Sequence, residues 1–396
     1  MFTKKIKPSL LIYFLISLSI SPSFALGKNN INLLLVLVFA MAPVIILYYR
    51  RFDLINKWLF FFVISIFSFP LLFQPESMRW STIFFSTLFC LTFVAYRVLL
   101  NHSYFTPKNY QKVIKYLIYA YSITLLVQQF CVLTGLPIFN VSNYHPSEPW
   151  RLNSLSSEPS HSARIVAFLA YCFITITELI QKQKYNFKMN LKKDKWVWLS
   201  FFWTMITMGS GTAFLFIGFV LFKFNRLRNF IPLLVIGGAL LFLVKNYEIT
   251  AFDRTYKTVL ASVSLDTDKI IEADHSAAVR IVPFIILAKQ VNLNTWNGWF
   301  GNGIDHVSSF MSNYIRGVPE GFTGGGLFYL WIEYGFIPFI LFLIFTLFIS
   351  YRKRDYLSIL FWFMLVFLYG PNSQITWLCV LLLFTNKFFF NRIDKI

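Results

Sequence analysis

The chain alternates between long apolar runs and short polar connections, and the lengths of the runs set the first expectation. Most approach the ~20 residues that an α-helix needs to cross a bilayer. They fall at residues 8–26, 31–49, 58–73, 80–100, 116–135, 163–180, 196–208, 212–222, 230–244, 327–350, 357–369 and 375–390. The pattern predicts an all-α polytopic membrane protein of about twelve transmembrane helices, forming a single integral membrane domain over residues 1–396. Two connections are too long to be turns, residues 136–162 and 246–325. Within the second, residues 276–291 carry Arg280 and Lys289 on an apolar body. That run reads as an amphipathic helix lying in the membrane interface.

Two places decide the count. Residues 196–222 are long enough for one helix, but Gly209-Ser210-Gly211 puts a breaker near the middle. A short hairpin is predicted there, its tip buried in protein. Residues 1–27 imitate a signal peptide, with Lys4, Lys5 and Lys7 ahead of an apolar run ending Ser-Phe-Ala at Ala25. An uncleaved first helix is favoured, because the next run follows after only a few polar residues. Cleavage is the alternative.

Composition agrees with a chain solvated by lipid: 57% of residues are hydrophobic and 13% charged, against about 25% charged in soluble domains. A net charge of +19 first suggests nucleic acid. The positions of the charges exclude it, since no separate basic module exists. Lys and Arg gather in short connections, such as Arg50-Arg51-Lys57, Lys182–Lys195, Lys223-Arg226-Arg228 and Arg352-Lys353-Arg354. All fall on one side of a twelve-helix thread, which makes that side cytoplasmic and places both termini there. A single helix over 196–222 would move the later clusters to the wrong side, so charge also favours the hairpin. The loops 136–162 and 246–325 then face outward. In the second loop acidic residues outnumber Lys and Arg, so its arginines read as individually placed groups. The cysteines Cys90, Cys131, Cys172 and Cys379 lie in or beside apolar runs without metal or disulfide spacing, and read as buried free thiols.

The first outer loop ends SSEPSHSAR, Ser156 to Arg164. Pro159 suits the first turn of a helix, with Ser157 or Glu158 as cap. Glu158, His161 and Ser162 then share a face. They are a capping motif with interfacial charges or, in the functional reading, a general base beside an anion-binding Arg164. Arg151 is a solvated loop residue or a further anion contact. In the second loop, Arg254 and Arg280 are candidates for a bidentate grip on phosphate; snorkelling is the ordinary reading of Arg280. Gly301-Asn302-Gly303, followed by His306, is a plain turn or a backbone nest for an anion. Asp266-Thr267-Asp268 resembles a metal-binding acidic pair, but nearby Glu272 and Asp274 favour a simple acidic loop, and no metal or cofactor is expected. Glu333 lies inside the run 327–350, and an intramembrane carboxylate implies function or a buried partner. Arg164 or Arg280 is the expected partner, and water near the interface is the alternative.

These stretches, taken in order, resemble the O-antigen polymerase and O-antigen ligase family of bacterial membrane proteins. The matching parts are SSEPSHSA (156–163), TMGSGTAFL (207–215), Arg280 near the start of an amphipathic run, NGWFGNG (297–303) and IEYGFIPF (332–339). Ligases carry a His-Asn-x-Tyr-Leu segment where this chain has Gly325-Gly326-Leu327-Phe328-Tyr329-Leu330, and the Gly209–Thr212 turn lacks an Arg often found there. Both departures favour a polymerase. The resemblance implies metal-independent glycosyl transfer at the periplasmic face of the bacterial inner membrane, extending an O-antigen or capsule. Oligosaccharide repeat units on undecaprenyl diphosphate are the substrates, and flippase and chain-length regulator proteins the implied partners besides membrane lipids. It further implies Arg280 and Arg254 on the diphosphate, assisted by Arg164 and Arg151. Glu158 or His161 would be the base, with His306 a second candidate. A ligase transferring the glycan to lipid A core or protein is the runner-up, and a flippase or transporter of lipid-linked oligosaccharide the alternative of another class.

Overall fold

The computed structural model describes residues 8–20, 25–26, 31–49, 57–140, 148–224, 250–353 and 355–393. The described residues are helical apart from short turns, connecting loops and a two-residue antiparallel pairing of Ala25–Leu26 with Ile31–Asn32. In order, the α-helices are α1 (Pro8–Ile20), α2 (Leu33–Tyr49), α3 (Lys57–Phe73), α4 (Trp80–His102), α5 (Pro107–Thr134), α6 (Pro159–Gln181), α7 (Phe187–Lys193), α8 (Lys195–Thr207) and α9 (Gly211–Phe222). Then follow α10 (Thr250–Val263), α11 (Thr267–Ala273), α12 (His275–Gln290), α13 (Trp296–Phe300), α14 (His306–Phe310), α15 (Leu327–Tyr334), α16 (Phe336–Ser350), α17 (Tyr356–Trp362) and α18 (Gln374–Ile393). Three of them, α4, α5 and α6, are long and apolar enough to cross a membrane. The run expected at 230–244 lies outside the described residues.

The chain divides into two compact units, residues 1–37, 103–255 and 388–396 in one and 38–102 with 256–387 in the other. In the first unit α6 is the central helix, packed by α5, α8 and α9. From Ala163 to Thr177 every side chain is buried; a helix apolar on all sides finds its place inside a bundle. The α8–α9 hairpin forms as its glycines predict, with Gly209 at φ +64°. One end of this unit carries the ion pairs Lys115–Asp194 (2.5 Å) and Lys223–Glu178 (3.4 Å). These join the start of α8 to α5, and the end of α9 to the end of α6. At the hairpin tip, a Cβ on Gly209 would sit 3.4 Å from the Arg151 Cα and from the Trp150 carbonyl oxygen. The two halves therefore run in opposite directions.

In the second unit the run 327–350 is not one helix. It breaks at Gly335, whose φ is +94°. The break is forced by a close crossing of two backbones. A Cβ at Gly335 would stand 2.1 Å from the Trp299 carbonyl oxygen, and one at Gly301 (φ +86°) 2.1 Å from that of Glu333. The stretch 246–325 also differs from a loop: its described part folds largely into α10 to α14. The amphipathic helix expected there is α12. Its apolar side packs into protein, where Ala278, Val282, Ile285 and Ile286 are buried with Val307, Met311, Ile315 and Ile332.

Replacing Gly301 or Gly335 with Ala adds a clash with backbone to an unfavourable positive φ. We expect each to cost about 3 kcal/mol or more, read as a large fall in the melting temperature of detergent-solubilised protein. Gly218→Ala is the control: a Cβ there meets nothing within 4 Å. It should leave stability unchanged or raise it by up to about 1 kcal/mol.

Candidate functional site

The expected site residues fall into the two units. At the start of α6, Pro159 occupies the first turn and Glu158 the N-cap position, without a side-chain cap. The Glu158 carboxylate instead accepts from the Ser160 hydroxyl (3.1 Å), and His161 Nδ1 lies 3.2 Å from the Ser157 hydroxyl. Glu158 and His161 are half-buried. Ser162 does not share their exposure. It is fully buried, donating to the Asn153 carbonyl (2.5 Å) and accepting from the Ser156 N–H (3.3 Å). Arg164 is buried, only 8% exposed. Arg151 pairs with Glu148 at 2.8 Å.

What holds this helix start in place is a polar network beneath it. Gln128 of α5, fully buried, donates to the Phe139 and Ser154 carbonyls (3.0 and 3.2 Å) and accepts from the Ser154 N–H at 2.8 Å. Asn153 donates to the carbonyls of Asn140 (2.6 Å) and Ser156 (2.5 Å). The Ser154 hydroxyl donates to the Tyr121 carbonyl at 2.5 Å. Irregular backbone among apolar helices is tolerated only when its polar groups find such partners. The neighbouring amide, Gln129, reaches α8 instead, donating to the Thr207 hydroxyl (2.8 Å) and accepting from the Trp203 indole N–H (3.1 Å).

The second cluster is built on the Gly301–Gly303 turn. The Gly301 N–H donates to Asn297 O (2.8 Å), Asn302 N–H to Ile332 O (2.9 Å) and Gly303 N–H to Glu333 O (3.2 Å). All three donors are used by protein, so the turn is not an anion nest. Through these bonds NGWFGNG and IEYGFIPF lie directly against each other. From the other direction comes the turn between α3 and α4. Gln74 donates to Gly301 O at 2.5 Å, Arg79 pairs with Asp305 at 2.5 Å, and Ser77 closes over Gly303, where a Cβ would meet its hydroxyl at 2.2 Å.

His306 opens α14, half-buried, with its ring edge-on to Phe310. Burial holds its pKa below the ordinary imidazole value, which keeps a neutral, proton-accepting ring at neutral pH. Arg280 is half-buried on α12. It lies on the helix face shared with Pro283 and Leu287, and those two meet Gly324 and Gly325 just ahead of α15. Glu333 is fully buried, and a main-chain group meets it where an arginine was expected: Oε1 accepts from the Val307 N–H at 3.1 Å. Arg254 falls on α10, with its side chain outside the described residues. Asp266 is a helix cap, accepting from the N–H groups of Asp268 and Lys269 (3.1 and 3.3 Å), which hold its carboxyl below the usual range.

The structure therefore brings the predicted residues Arg280, His306 and Glu333 to one unit and Arg151, Glu158, His161 and Arg164 to the other. Sequence reasoning missed Gln74, Ser77, Arg79 and Asp305, whose pairing leaves no local mark. It also missed Gln128, which does leave one: two adjacent amides in an apolar run need buried partners. Comparison with protein-family models, with curated proteins and with solved structures returns no match.

Gln128→Leu keeps the side-chain volume but strands the Ser154 N–H and removes a donor from two carbonyls. At about 1–3 kcal/mol for each buried group left unsatisfied, the 148–162 segment should loosen. Faster proteolysis there, with the end of the unit at Lys115–Asp194 unaffected, is the expected result.

Proposed function

We propose that this chain is a polysaccharide polymerase of the bacterial inner membrane. It joins undecaprenyl-diphosphate-linked oligosaccharide units at the periplasmic face. On this reading it has about twelve membrane-crossing segments, with cytoplasmic termini and α12 at the outer membrane surface. One observation carries the proposal furthest: the two segments that resemble the polymerase and ligase family, 297–303 and 332–339, are packed backbone to backbone. The helix bearing Arg280 shares a hydrophobic core with Ile332 of the second segment. Motifs distant in sequence and adjacent in space are what a shared site requires.

In the proposed reaction a hydroxyl oxygen of one lipid-linked unit bonds to the anomeric carbon of another. The bond from that carbon to the lipid diphosphate breaks, and the diphosphate departs with the electron pair. The hydroxyl proton passes to a base. Charge grows on the leaving diphosphate, so a fixed guanidinium lowers the barrier there. We assign that role to Arg280; Arg151, Arg164 and Arg254 are the candidate cations of the other unit. His306, neutral by burial, is the base candidate in the unit of Arg280; Glu158 and His161 are those of the other unit.

The surface glycan of a strain lacking the chain distinguishes the classes. Single repeat units on the acceptor support a polymerase. Accumulated lipid-linked polymer without attachment indicates a ligase, and intermediates stalled at the cytoplasmic face indicate a flippase. Complementation with Arg280→Ala should lower polymer at least about 100-fold, as expected for loss of a charge-stabilising donor, with the protein still in the membrane. Arg280→Lys, which keeps charge but not the planar fork, should fall between. Normal polymer from the Ala variant would remove Arg280 from the mechanism.

A further inference from the structure

Glu333 is too deeply buried to touch a substrate, yet both its main chain and its side chain act on the segment that carries His306. Its carbonyl accepts from Gly303 and its carboxylate from Val307, so the two bonds bracket residues 304–306. Between them Asp305 adopts φ +68°, a conformation that L-residues rarely take and that persists only when the surroundings enforce it. Arg79 enforces it from outside through the Asp305 carboxylate, in a pair whose side chains are 58% and 37% exposed. Glu333 does so from inside, where water cannot compete. Among the described residues, the groups facing its carboxylate are the Val307 N–H, the Tyr329 and Tyr334 side chains and the Asp305 backbone and carboxylate. None is a cation.

We infer that Glu333 is a positioning residue: as a buried acceptor for the Val307 N–H, it holds residues 301–307 in shape and thereby sets the imidazole of His306. The role asks for an acceptor, not for a charge or a proton. Glutamine keeps the acceptor; alanine and leucine do not. The part that concerns His306 rests on the polymerase reading, whereas the clamp on the turn stands apart from it.

Hydrogen exchange on the purified full-length protein tests the clamp without reference to activity. In Glu333→Gln the 301–310 segment should exchange within about threefold of the unsubstituted protein. In Glu333→Ala and Glu333→Leu it should exchange at least about tenfold faster, matching loss of one hydrogen bond to a carboxylate, with α6 unchanged. Leucine fills the volume, so it carries the comparison should alanine unfold the chain. Unchanged protection in the leucine variant, or exchange in the glutamine variant as fast as in leucine, overturns the inference. Polymer output supplies the second arm: glutamine should restore it and leucine should not. A glutamine variant with a protected turn but no polymer would make Glu333 itself the chemical group and end the positioning role. A strain lacking the chain that still makes normal polymer counts against the polymerase reading alone, and the exchange comparison then still judges the clamp.

Discussion

A backbone can lie directly against a neighbouring carbonyl only where a glycine leaves out the Cβ that would collide with it, and the second unit depends on a pair of such contacts. Gly301 lies against the Glu333 carbonyl and Gly335 against that of Trp299. The crossing breaks an apolar run that would otherwise continue as one helix through Ser350. It also brings the carbonyls of Ile332 and Glu333 within reach of the Asn302 and Gly303 N–H groups. Because these four residues come from segments about thirty positions apart, the contact sets the register of α13 and α14 against α15 and α16. Side chains then complete it from both directions, Gln74 and Arg79 from one turn and Glu333 from the helix.

The first unit solves a related problem by other means. Its irregular segment has few glycines and is held by side-chain amides and hydroxyls. Gln128, Asn153, Ser154 and Ser162 are all at most 4% exposed; Gln128, Asn153 and Ser162 satisfy backbone groups of the loop, and Ser154 ties the loop to the Tyr121 carbonyl of α5. Fully connected buried networks of this kind are rigid, because any departure leaves a group without a partner in a medium of low dielectric. The consequence is a fixed approach of the Glu158–His161 turn to the central helix. Candidate polar chemistry in both units thus sits on backbone that has little freedom to move, as preorganised electrostatic stabilisation requires.

Much of the helical architecture was readable from the sequence alone, because hydropathy and breakers are local properties. The helices at Lys57–Phe73, Trp80–His102 and Pro159–Gln181 follow directly from apolar runs. The α8–α9 break follows from Gly209-Ser210-Gly211, and α12 from the amphipathic run around Arg280. Pro159 marks a helix start for the reason it does in any protein: its missing N–H is no loss there.

Tertiary structure decided the partners. Gln74 and Gly301 stand 227 positions apart, and nothing near either residue announces the other. Glu333 announced only that it needed a partner; that a main-chain N–H, not an arginine, meets it depended on where α14 came to lie. Gly335 carried a breaker's signal, but its run was apolar enough to read as continuous until Trp299 approached it. Local periodicity tells which faces must be buried. Which surface buries them depends on long-range packing, and that also decides whether a glycine, an amide or a carboxylate is a spacer, an anchor or part of a site.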